Sequence, residues 1–180
     1  MVYIITALKS EAQAFIDKYK LKKENLNGYK IFKDQKMILI VSGVGVDNAR
    51  LATQTLINYF DITDDDIYLN IGICGANKNY EIGELIEIGM IHYKDDIYIV
   101  KDSEKNSIEC VEKEMTTDEY DIVDMESFGF YDAVIHSTAI KNRYILKVVS
   151  DHFEPSNITK DSTKALLFNK IDAINKIIFQ

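Results

Sequence analysis

Short apolar runs alternate with amphipathic stretches along this chain, and that alternation sets its fold class. Val2 to Leu8 is a β-branched apolar run of strand length; Ile67 to Ile71 and Tyr144 to Val149 are others, the last interrupted only by Lys147. Continuous apolar runs of this length mark strands covered on both faces. Between them lie stretches with helical spacing. One starts at Lys9 or Ser10 and reaches about Tyr19, with Ala12, Phe15 and Ile16 on one face. A second runs from about Asp47 to Tyr59 on Ala49, Ala52, Leu56 and Ile57, a third from Ser127 to about Ser137, and a fourth from about Lys160 to Ile178. Strands alternating with helices predict an α/β layer fold. Asn27-Gly28 reads as a turn, and Tyr29 to Phe32 and Met37 to Val41 flank a polar turn. That hairpin must pair antiparallel, so the sheet is predicted to be mixed although largely parallel. Leu85 to Ile91, Tyr98 to Lys101 and Ile122 to Met125 read as further strands. Ser42 to Gly45 and Gly72 to Ala76 read as glycine turns, and residues 102–120 show no readable pattern.

Composition narrows the picture. With 180 residues, 47% of them hydrophobic, the chain suits one domain over residues 1–180. No apolar run approaches the roughly 20 residues of a membrane span. The N-terminus enters Val2 without a basic leader, so no signal peptide and no membrane partner are expected. Cys74 and Cys110 lack metal-ligand spacing, which predicts free thiols and a cytoplasmic protein. A net charge of -8 leaves no basic stripe for nucleic acid.

In open α/β sheets, ligands gather beyond the carboxyl ends of the strands. Polar groups follow the predicted strands repeatedly here: Glu11, Ser42-Gly43-Val44-Gly45, Asn70 to Gly75, Asp124 with Glu126, and Ser150-Asp151-His152. Asp124 and Glu126 sit two apart at a strand end and so point to one side, with Met125 as apolar neighbour. Paired carboxylates accept well from the hydroxyls of a sugar. A carboxyl at the edge of a core, as at Asp151, tends to hold its proton and suits a general acid. Each acid also has a plainer reading: Glu11 and Glu126 as helix-start acids, Asp151 as a turn cap. Cys74 reads as a small core residue. Gly43 and Gly45 precede a helix, but Asn48 stands where a dinucleotide fingerprint needs a third glycine. No phosphate-loop motif is present, and His92, His136 and His152 are scattered, so neither a cofactor nor a metal is expected.

Taken in order, these segments resemble the nucleoside phosphorylase and nucleosidase superfamily, which includes methylthioadenosine/adenosylhomocysteine nucleosidases and hexameric-type purine nucleoside phosphorylases. Ile5 to Glu11 resembles the nucleosidase N-terminus, and Ser42-Gly43-Val44-Gly45 through Asn48-Ala49 the SGxGxxNA segment. Asn70 to Ala76 resembles the central glycine segment, and Glu81 to Leu85 the IGD segment with Glu84 in place of aspartate. Val123 to Glu126 resembles the VEME motif with Asp124 for its first glutamate, and Val149 to His152 the VSDH motif. The resemblance implies a three-layer phosphorylase/hydrolase-like fold, shortened between about Tyr93 and Asp121. It implies cleavage of the N-glycosidic bond of a purine nucleoside, with Asp151 donating to the base and Glu11 activating water. Glu126 would bind the ribose hydroxyls and Met125 would pack on the sugar. Asp124, Ser42, Gly43, Gly72 and Ser150 complete the expected substrate contacts. Phe128 and Phe153 are the aromatic candidates for a base stack, and Lys164 a candidate support for Asp151. Family members form homodimers or higher oligomers, and one is expected here. Phosphate as the nucleophile is the alternative, as is a nucleoside-binding module without turnover. Glu11 matches the hydrolases, and Asn70 and Ile73 stand where hexameric-type phosphorylases carry arginine and serine, which favours water.

Overall fold

The computed structural model describes residues 1–101 and 105–179. Its elements are β1 (Val2–Thr6), α1 (Lys9–Tyr19), β2 (Lys22–Leu26), β3 (Tyr29–Lys33), β4 (Met37–Val41) and α2 (Val46–Tyr59). They continue with β5 (Ile67–Ala76), β6 (Leu85–Tyr93), β7 (Asp96–Ile99), β8 (Asn106–Cys110) and β9 (Ile122–Asp124). The last part comprises α3 (Ser127–Ile135), β10 (Asn142–Asp151), α4 (Lys160–Phe168) and α5 (Ile171–Ile178). The ten strands among the described residues belong to one mixed sheet with helices on both faces. No helix among the described residues is long and apolar enough to cross a membrane.

The parallel centre β4-β1-β5-β10 follows from the continuous apolar runs. Alternate side chains feed two cores. Val2, Ile4, Leu69, Ile71, Leu146 and Val148 pack with α1, α4 and α5. Tyr3, Ile5, Tyr68 and Ile145 face the core that holds Leu56, Phe130 and Val134 of α2 and α3. Beyond this centre the sheet closes on itself. β10 pairs antiparallel with β6, β6 parallel with β8, β8 parallel with β9, and β9 returns antiparallel to β5. The ring β5-β10-β6-β8-β9 therefore has an inner face.

The structure departs from the sequence pattern in four places. Gly72 to Ala76 is not a turn but the continuation of β5, because its backbone is paired with β10 up to Gly75 and with β9 at Gly75 and Ala76. β2 was not predicted: Lys22 to Asn25 are exposed and show no apolar signal, and the strand exists through its pairing with β3. Its charges suit a sheet edge. Of the unreadable residues 102–120, Asn106–Cys110 form β8 and turn Ile108 and Cys110 inward, while 102–104 lie outside the described residues. The last helix is two helices. A single tight bond from Lys170 N–H to the Leu167 carbonyl breaks it without changing the phase of Thr163, Leu167, Ile171, Ile174 and Ile178, so the periodicity conceals the break.

Helices α2 and α3 touch backbone to backbone at Gly129. A Cβ there would lie 2.0 Å from the Val46 carbonyl oxygen and 3.1 Å from the Arg50 nitrogen. No side-chain rearrangement relieves a backbone collision, so the helices would have to separate. We expect Gly129→Ala to lower unfolding free energy by about 3 kcal/mol, the upper end of overpacking costs. Urea denaturation that left the midpoint unchanged would show that the helix pair is not held at this spacing.

Candidate functional site

The carboxyl ends of β1, β4, β5 and β10 point to one edge of the sheet, and the polar groups collect there. After β1 the chain turns through Ala7 and Leu8 into α1, placing Glu11 in the first turn. Glu11 is 2% exposed. Its Oε2 accepts from Leu8 N–H at 2.8 Å and its Oε1 from Ile73 N–H at 3.0 Å. Gly72 permits this approach, since a Cβ there would sit 2.7 Å from Glu11 Oε1. Burial raises the proton affinity of Glu11 above the ordinary carboxyl value; the backbone donors and Lys147 offset this only in part.

After β4, Gly43 and Gly45 take φ of +90° and +107°, a region that side-chain-bearing residues rarely adopt. The loop thereby turns Gly45 N–H toward Glu126, whose Oε1 accepts it at 3.0 Å. Glu126 lies just past β9 and is buried. Burial, with the charges of Asp124 and Glu11, pushes it up to about 7, against the pull of Lys147 and the Gly45 N–H. Asp124 ends β9 with both oxygens engaged. Oδ1 accepts from the Ser127 hydroxyl at 2.6 Å; Oδ2 accepts from Ser127 N–H at 2.9 Å and from Lys147 Nζ at 2.7 Å. At the end of β10, a register shift between Val149 and Asp151 swings Asp151 beside Gly75. Asp151 Oδ1 accepts from Glu154 N–H at 2.8 Å, and its Oδ2 lies 2.7 Å from the Ser150 hydroxyl, which is 3.1 Å from the Cys74 carbonyl oxygen.

These groups enclose a cavity of about 300 Å³, a size suited to a small organic ligand. Glu11, Asp124, Met125, Glu126, Ser150 and Asp151 all line it. Ser42, Gly43 and Gly72 are not among its lining residues: Ser42 turns its hydroxyl to the Thr6 and Gly43 carbonyls, and Gly72 acts by making room for Glu11. Apolar surface comes from Leu8, Val44, Ile73, Met115, Pro155 and Ile158, and no aromatic side chain lines the cavity among the described residues. Phe153 and Phe128 are buried instead, the latter stacked on Tyr93. Lys164 pairs with Asp17 at 2.5 Å, so it is not a partner of Asp151. Cys74 is buried at the cavity wall, and burial pushes its thiol well above the ordinary value, away from a reactive thiolate. Among the described residues, no group of three or more His, Cys, Asp or Glu side chains is arranged to hold a metal ion.

Sequence reasoning missed Lys147 and the loop residues Glu114 and Met115. Lys147 did carry a signal, as the one charge within the apolar run Tyr144 to Val149. Glu114 and Met115 had none, because they follow β8 in a stretch without periodicity.

No protein-family model and no curated protein matches this chain. Solved structures do match it in fold. The 5′-methylthioadenosine nucleosidase of Arabidopsis thaliana, in apo form, aligns over 98% of this chain and 95% of its own at 16% identity and a TM-score of 0.78. The 5′-methylthioadenosine/S-adenosylhomocysteine nucleosidase of Neisseria meningitidis, in complex with methylthio-immucillin-A, aligns over 98% of both chains at 16% identity and a TM-score of 0.77. The futalosine hydrolase of Helicobacter pylori strain 26695 aligns over 96% of this chain and 97% of its own at 15% identity and a TM-score of 0.76. The three-layer α/β fold with a mixed sheet is thus the fold of the nucleosidases.

The burial of Glu126 has a consequence for stability. Its folded-state pKa lies above the ordinary 4.5, near 7, so the folded chain binds this proton more tightly than the unfolded chain. The stabilisation is fully present below about pH 4.5 and is lost as pH rises through about 7. We expect the stability difference between wild type and Glu126→Gln to shift against the wild type across that window. A difference that stays constant between these pH values, read by urea denaturation, would contradict it.

Proposed function

We propose that this protein cleaves the N-glycosidic bond of a purine nucleoside with water as nucleophile. The observation that carries the reading is the convergence of Glu11, Glu126 and Asp151 on one small cavity from three separate elements. Glu126, held by the Gly45 N–H through one oxygen, keeps acceptor capacity for ribose hydroxyls. Met125 offers an apolar contact to the sugar. Asp151 is the group placed to deliver a proton to the base nitrogen as the bond to the sugar carbon breaks. The electron pair leaves with the base, and the sugar develops oxocarbenium character that the surrounding carboxylates stabilise. Water then adds to that carbon, and Glu11 takes its proton. The raised proton affinity of Glu11 suits a group that must accept and hold one.

Water is favoured over phosphate by the charge of the cavity. An attacking phosphate needs cationic or N–H donors. Among the described residues, no lysine or arginine lines the cavity. Arg50 is spent on Asp47 and Asp132, and Arg143 on the Val100 carbonyl. The likeness in fold to nucleosidases and to a futalosine hydrolase supports the same choice.

Chromatography of adenosine, inosine, methylthioadenosine and adenosylhomocysteine after incubation with the protein tests the reading. Free base and free sugar independent of phosphate are expected. Base release that requires phosphate would make the protein a phosphorylase, and nucleoside affinity without release a binding module. On the substrate so identified, Asp151→Asn is expected to lower kcat about 10²–10⁴-fold, the usual range for a lost general acid, with the fold intact by circular dichroism. Unchanged turnover would remove Asp151 from the mechanism. Glu11→Gln is expected to reduce kcat by a similar factor while calorimetric affinity for the nucleoside stays close to wild type. Equal losses in affinity and turnover would make Glu11 a structural residue.

A further inference from the structure

One cation lies among the buried acids. Lys147 is 1% exposed and shares the inner face of the strand ring with Ile145 and Val149. Its Nζ is 2.7 Å from Asp124 Oδ2. The titratable groups that act with it are Asp124 at the end of β9, Glu126 just past β9, Glu11 on α1, and the thiols of Cys74 on β5 and Cys110 on β8, while β6 sets the apolar Ile86 opposite it. Burial weakens the hold of Lys147 on its proton, but Asp124, Glu126 and Glu11 outweigh it and keep the ammonium charged. Lys147 does not line the cavity, so any effect on a ligand passes through the carboxylates. Asp124, in turn, has both oxygens taken by Ser127 and Lys147, which makes it the anchor of the ammonium.

We propose that Lys147 is a positioning residue for this reaction, whose ammonium anchors Asp124 and supplies the positive charge that lets Glu126 and Glu11 face one small cavity as carboxylates. The inference rests on the function proposed above. Without the ammonium, the crowded acids relieve their repulsion by taking up protons. A protonated Glu126 presents a hydroxyl where ribose needs an acceptor, and a protonated Glu11 has no room for the proton of water. Both defects are reversed by raising pH, which a purely structural defect is not.

The experiment compares Lys147→Gln, which keeps a donor for Asp124 but not the charge, with Lys147→Arg, which keeps both. Two quantities are read: the acid limb of the pH profile of kcat/KM, and the ¹³C titration of the Glu126 carboxyl, assigned through Glu126→Gln. In Lys147→Gln both midpoints are expected to move up by about one pH unit or more, as for loss of a close opposite charge, with activity recovering at high pH. Lys147→Arg is expected to restore both toward wild type. Activity lowered equally at every pH, or a Glu126 titration that does not move, would overturn the proposal. Should Lys147→Gln fail to fold, the double variant Asp124→Asn/Lys147→Gln leaves no buried ion of the pair unpaired. Its Glu126 carboxyl should titrate higher than in Asp124→Asn alone, which keeps the ammonium that holds Glu126 down; equal midpoints in the two variants would overturn the proposal. If the wild type releases no base from any nucleoside, the proposed function fails, and the carboxyl titration alone decides the role of Lys147.

Discussion

The pairing of Lys147 with Asp124 inside the strand ring is the interaction on which the site depends. Taking an ion out of water costs several kcal/mol even after relaxation, and a buried charge persists only when it is paired and hydrogen-bonded. Three carboxyl groups, Glu11, Asp124 and Glu126, are each less than 9% exposed at one edge of this sheet. Among the described residues, Lys147 is the one buried lysine or arginine. The acids are further satisfied by backbone donors: Leu8 and Ile73 for Glu11, Gly45 for Glu126, Ser127 for Asp124. Removing the ammonium would leave that set with donors but no counter-charge.

Closure of the ring is what makes the pairing possible. β9 runs antiparallel to β5, with Gly75 opposite Val123 and Ala76 opposite Ile122. Its chain therefore travels back down toward the middle of the sheet, where β10 carries Lys147 opposite Gly72. Asp124 reaches down to the ammonium, and Glu126, two residues on, reaches out to the cavity. The glycines of β5 serve the same geometry, with Gly72 leaving room for Glu11 and Gly75 lying beside Asp151.

The same physics accounts for a fold shared at 15–16% identity with the solved structures named above. Layers of apolar side chains on a mixed sheet tolerate exchange of one hydrophobe for another if volume and pattern are kept. The stricter requirements in this chain are local: a glycine where a carboxylate approaches, left-handed backbone at Gly43 and Gly45, and a counter-charge for buried acids. These occupy few positions.

Much of the architecture was legible in the chain alone. Continuous apolar runs predicted β1, β5 and β10 and the parallel centre, the polar turn before Met37 predicted the β3-β4 hairpin, and acids following strands marked the edge where Glu11, Glu126 and Asp151 meet. Periodicity reports which residues are buried, and residues just past buried strands have few places to go. What the chain could not determine by itself lies in pairing between distant segments. β2 and β8 have weak patterns and exist because neighbours complete their hydrogen bonds. Phe128, Phe153 and Lys164 carried the right chemistry for the site, yet the fold directs them elsewhere. Lys147 looked like an interruption of an apolar strand, and only the return of β9 against β5 supplied its carboxylate. Local sequence sets the burial of a side chain, but the charge it meets there is decided by tertiary structure, because electrostatic partners are set by distance in space and not along the chain.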